Sequence, residues 1–530
     1  MNTKRILKSA LCLVVVCAMM LCMCSCAAWK KTFAKPHEYM AYIEQEAIAA
    51  GVESFVDYYD KELAYYGKNA NTAVKSEMQI SLGDGLAQML QLMLGMDLTW
   101  VNDVTIKVDG NKNGNLFDLF VGLVLGDDTL ISVNTILNTE DDNAYIQIPQ
   151  FSEKYLSYDF KEMLGEDGDV LSLNATAEIV EKLPEGKVLG DLINKYVGII
   201  FDNIKEAEKT KGTLDANGKS EECTILEAEL TYSEFCELVK TVIRELQKDT
   251  LIEELITTGV DIVNEFEGAA EGEKLNATTV YADFIKGTNE MLEDIDAESD
   301  IDPDEVVLVW TDYVNGDSEI IGRKLYLYET IEFFYGKASE KEAYGEEFYV
   351  KEYCKYDGES EEYGEWSELI SISGEGSVKN NILSGEYDVY AEGEFILNFT
   401  VSDIDVKAAQ KGQFKGSIEV FPSAELFASD GEGSVISSLA SSLSFGMDYD
   451  YSESKQEIKI FINNLGSEFL SVTLKSETVK SDVISVPTDS DVQETDTWMA
   501  NADFEAFLEG LRNSDLPDDI VAMIEQLFAY

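Results

Sequence analysis

The strongest constraint on the fold is a period of two in the apolar residues, which recurs in both halves of the chain. Val104, Ile106 and Val108 alternate with Thr105 and Lys107, and Ile131, Val133, Thr135 and Leu137 continue that period to Ile146 and Ile148. Far downstream, Phe395, Leu397, Phe399 and Val401 alternate with Asn398 and Thr400. Ile458, Ile460 and Ile462, then Leu470, Val472 and Leu474, flank residues 463–468 as a hairpin. A strand points successive side chains to opposite sides, so each run has one greasy and one polar face. The segments between runs, such as 109–114 and 140–143, are short and turn-like, as antiparallel neighbours require. A sheet with one greasy face needs a cover, either a second sheet or helices.

Helical periodicity supplies that cover. Over residues 36–66, Ile43, Ile48, Val52, Phe55, Tyr59 and Leu63 recur at largely three- and four-residue steps, with Gly51 as a point where the helix can break. Residues 74–150 read as a strand-rich meander interrupted by a short helix near 86–94, and Pro149 ends its last clear strand. Leu189, Leu192, Ile193, Tyr196, Val197 and Ile200 form a helical stripe after Pro184. A strand at 222–230 runs into Thr231-Tyr-Ser-Glu234, a capping box that opens a helix carrying Phe235, Leu238, Val239, Val242 and Leu246. Phe504, Phe507, Leu508 and Leu511, then Ile520, Val521, Ile524 and Leu527, predict two short C-terminal helices after a mostly polar connector at 481–497.

These patterns predict an α+β fold of antiparallel sheets covered by helices, with sheet in each of two halves. The expected divisions are an α+β domain at 36–293, an acidic linker at 294–305, a strand-rich domain at 306–487 and helices at 488–530. A chain of 530 residues exceeds one ordinary core, and its 45% apolar content can fill more than one. The 102 acidic residues against 40 basic ones give a formal charge of −62, which repels phosphate backbones and anionic bilayers and excludes broad nucleic-acid binding. His37, the single histidine, leaves the remaining chain without the commonest general base and metal ligand.

Lys4, Arg5 and Lys8 precede an apolar run over 10–23, the charged and greasy parts of an export signal. Its end, Met23-Cys24-Ser25-Cys26, resembles the lipobox of bacterial lipoproteins, in which a small residue precedes the cysteine to be lipidated. Cys26 fits that role, with 1–25 as signal peptide and 26–35 as lipidated anchor and linker; Lys30, Lys31 and Lys35 there can meet anionic headgroups. An uncleaved signal anchor is the alternative, since 9–29 is long enough, at about 20 residues, to span a bilayer. Both place the body on the extracytoplasmic face of the cell membrane. Outside this segment only Cys223, Cys236 and Cys354 remain; an odd number with no zinc spacing reads as buried structural thiols.

The stretch Tyr145-Ile-Gln-Ile-Pro-Gln-Phe-Ser-Glu-Lys-Tyr-Leu156 is similar to a group of uncharacterised exported bacterial lipoproteins. The likeness continues through the 188–205 helix, the Cys223-Thr-Ile-Leu226 strand with its capped helix, Ile320-Ile-Gly-Arg323 and Trp498. Such proteins resemble in style the half-barrel lipoprotein carriers of the LolA and LppX kind. The resemblance implies a curved antiparallel sheet wrapped around helices, with room for an apolar cavity, and it implies no reaction.

Local constellations add little chemistry. Asp109, Asn111 and Asn113 with Gly114 match the first half of a calcium loop, but Phe120 stands where the bidentate glutamate belongs; Asp118 is the alternative late donor, and turn chemistry explains the same residues. The acidic runs at 294–305 and 359–362 read as solvated faces, and Tyr353, Tyr356, Tyr363 and Trp366 read as sheet packing before a sugar-stacking surface. No nucleophile elbow, phosphate loop, dinucleotide fingerprint or zinc helix is present, so a non-enzymatic protein without cofactor is expected. The leading expectation is a lipid-anchored surface protein binding an apolar, lipid-like ligand. Candidate lining positions are Ile106, Val108, Ile146, Phe395, Phe399, Leu192 and Tyr196. The rivals are a structural or adhesive module contacting wall polymer or host macromolecules, and a carboxylate-based hydrolase.

Overall fold

The computed structural model describes residues 34–66, 71–138, 140–141, 143–159, 180–266, 274–297, 301–354, 365–409, 413–423, 442–452 and 454–528. Helix α1 (Pro36–Tyr66) leads to β1 (Thr72–Leu82), α2 (Asp84–Leu94), β2 (Val104–Asn113), β3 (Leu116–Leu125), β4 (Asp128–Asn138), β5 (Asn143–Gln147) and β6 (Tyr155–Asp159). Helix α3 (Gly186–Asn203), strands β7 (Glu208–Ala216) and β8 (Lys219–Thr231), and helices α4 (Tyr232–Lys248), α5 (Thr250–Phe266) and α6 (Ala277–Asp296) follow. A long meander then comprises β9 (Val306–Val314), β10 (Ile320–Leu327), β11 (Ile331–Glu340), β12 (Ala343–Cys354), β13 (Glu365–Lys379), β14 (Ile382–Ala391) and β15 (Glu394–Asp405). After a single turn, α7 (Val406–Ala409), it continues as β16 (Lys415–Pro422), β17 (Leu443–Tyr451), β18 (Lys455–Asn464) and β19 (Ser467–Lys480). The chain ends with β20 (Val492–Gln493), α8 (Thr495–Asn501), α9 (Phe504–Arg512) and α10 (Asp518–Phe528).

Among the described residues the strands join in one open, curved sheet of 20 strands. From one edge its order is β7 to β19, then β1 to β6, then β20; neighbours are antiparallel except β20 beside β6. Two pairings knit the halves of the chain together. Strand β8 lies against β9 across the three intervening helices, and β1 pairs with β19 along its whole length, from Thr72 opposite Lys480 to Leu82 opposite Leu470. Two-residue turns with both φ angles positive, at Asn217-Gly218, Asn380-Asn381, Glu392-Gly393 and Leu465-Gly466, match the twist of their strands and keep sequential neighbours adjacent.

Residues directly opposite across a ladder stand on the same side of a sheet, so the register traces each face from strand to strand. One row runs Leu226, Asp312, Arg323, Tyr335, Phe348, Ile372, Val389, Leu397. The next row on that face runs Tyr387, Phe399, Val420, Phe445, Ile462, Leu470, Leu82. Helices cover this face at two places. Met40, Ile43 and Val52 of α1, with Val197 and Phe201 of α3, belong to one core with Leu226, Ala228, Trp310 and Leu325. Phe507 and Leu511 of α9, with Ile520 and Val521 of α10, form a second core with Leu125 and Leu130.

Several expectations needed correction. Helix α1 runs unbroken through Gly51, because Ala47, Ile48 and Val52 on either side are held in the core. Residues 109–113 are strand, not loop, since β1 and β3 pair on both sides of β2 and tertiary pairing outweighs the turn composition. The turn is confined to Gly114 and Asn115. The expected linker begins within α6, where Asp296 pairs with Lys240 at 2.5 Å. Helices α5 and α6, and the short α8 with buried Trp498, were not anticipated as elements.

Candidate ligand-binding face

Between its two helical covers no helix among the described residues lies over the apolar face, which is open there. On β15, Phe395 to Val401; on β16, Ile418 and Val420; on β17, Leu443 to Tyr451; and on β18, Gln456 to Ile462 contribute only uncharged side chains to it. Strands β19 and β1 continue it through Leu470, Val472 and Leu474 and Leu82, Ile80 and Met78. The opposite face carries the charges, including the cross-strand pairs Lys475–Glu457 and Lys107–Glu77, each at 3.5 Å. Burial is inverted between the two sides, and the Phe461 ring on the charged side is buried as well. Ile460 is 51% exposed and Phe445 40%, whereas Ser444 and Ser471, on the polar side, are 4% and 2% exposed. At the end of β1, α2 extends the apolar surface with exposed Leu92, Met93 and Leu94. Gly83 permits its close junction with β19, since a Cβ there would sit 1.9 Å from the Glu468 carbonyl oxygen.

Five of the seven expected lining positions fall on this face. Ile106 and Val108 of β2 lie there beside Met78 and Val121, and Phe395 and Phe399 share one side of β15. Ile146 on β5 is reached through Thr135 and Leu119, so it shares the face beyond β3. The strand order nevertheless separates β15 from β2 by six ladder steps, so these residues mark a surface and not a pocket. Leu192 and Tyr196 are elsewhere, on α3; the Tyr196 hydroxyl donates to Asp249 at 3.0 Å, and burial raises its pKa. A cleft of about 180 Å³ lies where the end of α3 meets β8 and α4, lined by Ile204, Leu230 and Leu238 among Lys205, Glu206, Glu229, Glu234 and Glu237. No expected lining position borders it.

A polar network stands where the covered and open parts of the face meet. Tyr335 and Tyr387 donate to the two oxygens of Glu346, at 2.9 and 3.0 Å, and the Tyr344 and Tyr387 hydroxyls are 2.7 Å apart. Burial, then the Glu346 charge and the Tyr344 hydroxyl, push the Tyr387 phenol far up, so it stays a neutral donor. Its ring stacks on Phe399 with centroids 4.8 Å apart, tying the open stretch to the core.

The other sequence candidates are dispersed. Asn111 and Asn113 donate to the Asp482 carbonyl, each at 3.1 Å, and so fasten the segment after β19 instead of forming a loop. Burial raises the Asp118 pKa. Tyr353 and Trp366 are a cross-strand pair with rings 5.3 Å apart, while Tyr356 and Tyr363 lie outside the described residues, as do Cys26 and the 359–362 run. Cys223 is a buried thiol and Cys236 a half-buried one; burial is the main cause raising both pKa values. The strand position of Cys354 is described, its side chain is not. Among the described residues no helix is long and apolar enough to cross a membrane.

One charged constellation was missed by sequence reasoning. Arg323 of β10 donates through Nε and Nη2 to both oxygens of Glu44 on α1, at 2.9 and 2.7 Å, and its Nε is 3.6 Å from Asp312 of β9. Glu44 and Asp312 are fully buried. Trp310 Nε1 donates to Asp312 Oδ1 at 3.0 Å, while the buried Oδ2 has no hydrogen-bond partner among the described residues. Burial first, and the Glu44 charge second, hold the Asp312 carboxyl well above the usual aspartate range, against the opposing pull of Arg323. Through this raised pKa the native state holds the Asp312 proton to a higher pH than the unfolded chain does. That contribution is complete below the ordinary aspartate pKa and is lost as pH rises through the native value, at up to about 1.4 kcal/mol per pH unit. Asp312→Asn keeps an acceptor for Trp310 and a donor toward Glu44 with no proton to lose. Scanning calorimetry is expected to show its melting temperature falling less than that of the unsubstituted chain between pH 5 and 9; parallel curves would place the proton elsewhere.

Neither family models nor curated protein sequences give a match to this chain.

Proposed function

We propose that the chain is a lipid-anchored extracytoplasmic protein, tethered through Cys26, whose open apolar face receives an apolar or amphipathic ligand. The observation that supports this most is the inverted burial on β17 to β19. In this reading the curved sheet, flanked by its helical covers, acts as a half-barrel trough with its charged side toward solvent. From β15 to β1 the face is about 24 Å across and about 17 Å along the strands, on the order of 400 Å². Continuous apolar patches of that size on monomers are commonly functional. Full burial of one large apolar side chain contributes about 1.5–3 kcal/mol, so covering four half-exposed ones supplies roughly 3–6 kcal/mol before ordering costs.

Titration with the neutral fluorescent probe N-phenyl-1-naphthylamine tests the proposal. The full chain is expected to give a saturable, blue-shifted signal, and the Met447→Asn/Ile460→Asn double variant to bind at least about tenfold more weakly with unchanged far-UV circular dichroism. No saturable signal, or equal binding by the variant, would remove the face as a ligand site.

A further inference from the structure

We infer that the natural occupant of the open face is a cationic amphipathic helix of another polypeptide; this rests on the face being a binding site, as proposed above. Openness and width select a helix. A trough about 24 Å across and open along its top covers only one side of a ligand, so a single acyl chain lying in it keeps much of its surface in water. An amphipathic helix solves this, because its apolar stripe meets the face while its polar back stays solvated. Its diameter of about 10–12 Å fits within the roughly 24 Å between β15 and β1. Met447, Met78 and the exposed Met93 at the α2 edge add flexible, polarizable surface that adapts to a helical ridge.

Charge selects the sign. The apolar stretch of the face carries no charged side chain among the described residues; exposed Glu392 and Glu394 at one end of β15 and Asp403 at the other border it with acid, and the exposed Lys480, opposite Thr72, stands at one corner where β19 ends. The chain as a whole carries −62. A second copy would bring the same negative charge, and an anionic amphiphile would meet a cation only at the Lys480 corner, whereas lysines flanking an apolar stripe are attracted by the acids at both ends of β15.

An 18-residue Leu/Lys amphipathic peptide, its Leu/Glu counterpart and a scrambled Leu/Lys peptide test this by anisotropy titration against the full chain. The Leu/Lys helix is expected to bind at least tenfold more tightly than either control, to weaken severalfold from 50 to 300 mM NaCl, and to lose at least tenfold with Met447→Asn/Ile460→Asn. Equal binding of the scrambled peptide would reduce the effect to surface charge, and equal binding of Leu/Glu would remove the charge selection; both overturn the inference. Failure of all peptides while N-phenyl-1-naphthylamine still binds would overturn the helix and leave the ligand site, and failure of both would remove both. A sedimenting dimer that the double variant abolishes would assign the face to a second copy and likewise overturn the inference.

Discussion

Arg323→Ala is expected to destabilise the protein by about 3–5 kcal/mol, the cost of leaving the buried Glu44 carboxylate without its cation. Glu44 and Asp312 cannot reach water from where they sit, and Arg323 is the bidentate partner that joins α1 to β10. Denaturant unfolding followed by tryptophan fluorescence measures the loss, because Trp310 contacts the cluster through Asp312. The combined Arg323→Met, Glu44→Leu, Asp312→Asn variant is expected to recover most of it, since it removes the buried charges and keeps the acceptor for Trp310 Nε1. A loss under about 1 kcal/mol in the alanine variant, which is the range of exposed pairs, would show that the cluster is hydrated.

Phe507→Ala is expected to cost about 3–5 kcal/mol as well, but locally. The Phe507 ring is buried among Leu125, Leu130 and Leu511 and meets Phe151 edge-on at 4.9 Å. This core shares no residue with the one beneath α1 and α3, so its loss should loosen one cover without releasing the other. Hydrogen exchange is expected to show faster exchange over residues 504–528 and unchanged protection in α1. Equal loosening of both would mean that the two covers unfold as one unit.

Much of the strand pattern was legible because alternation is a local signal. Ile458, Ile460 and Ile462 stand opposite Leu474, Val472 and Leu470, in the hairpin their spacing predicts. The Thr231–Glu234 capping box forms with both its hydrogen bonds. Long-range pairing leaves no such mark. Nothing within Thr72–Leu82 indicates that it will leave its own half to lie beside Ser467–Lys480, because that choice depends on the matching of whole faces. Apolar residues do recur at helical spacing in α5, as at Leu251, Leu255 and Ile262, but the threonines, glycine and acids between them dilute the stripe. The buried cluster did have a signal: Glu44, Asp312 and Arg323 each interrupt an inward-facing apolar pattern, which is where a buried charge must find a partner. The expected lining positions were correctly assigned to greasy strand sides, yet no residue spacing could show that Phe445 and Ile460 would stay uncovered while Trp310 and Phe201 meet under a helix.

Photochemical carbene footprinting of the full chain, read residue by residue, tests most directly whether the greasy side of β15 to β1 is open and available. Phe445, Met447, Ile460 and Leu474 are expected to label strongly in the free protein, Leu226 and Phe201 hardly at all, and the first four to be protected when N-phenyl-1-naphthylamine is added. Weak labelling of those four in the free chain, or labelling that the probe leaves unchanged, would contradict the account.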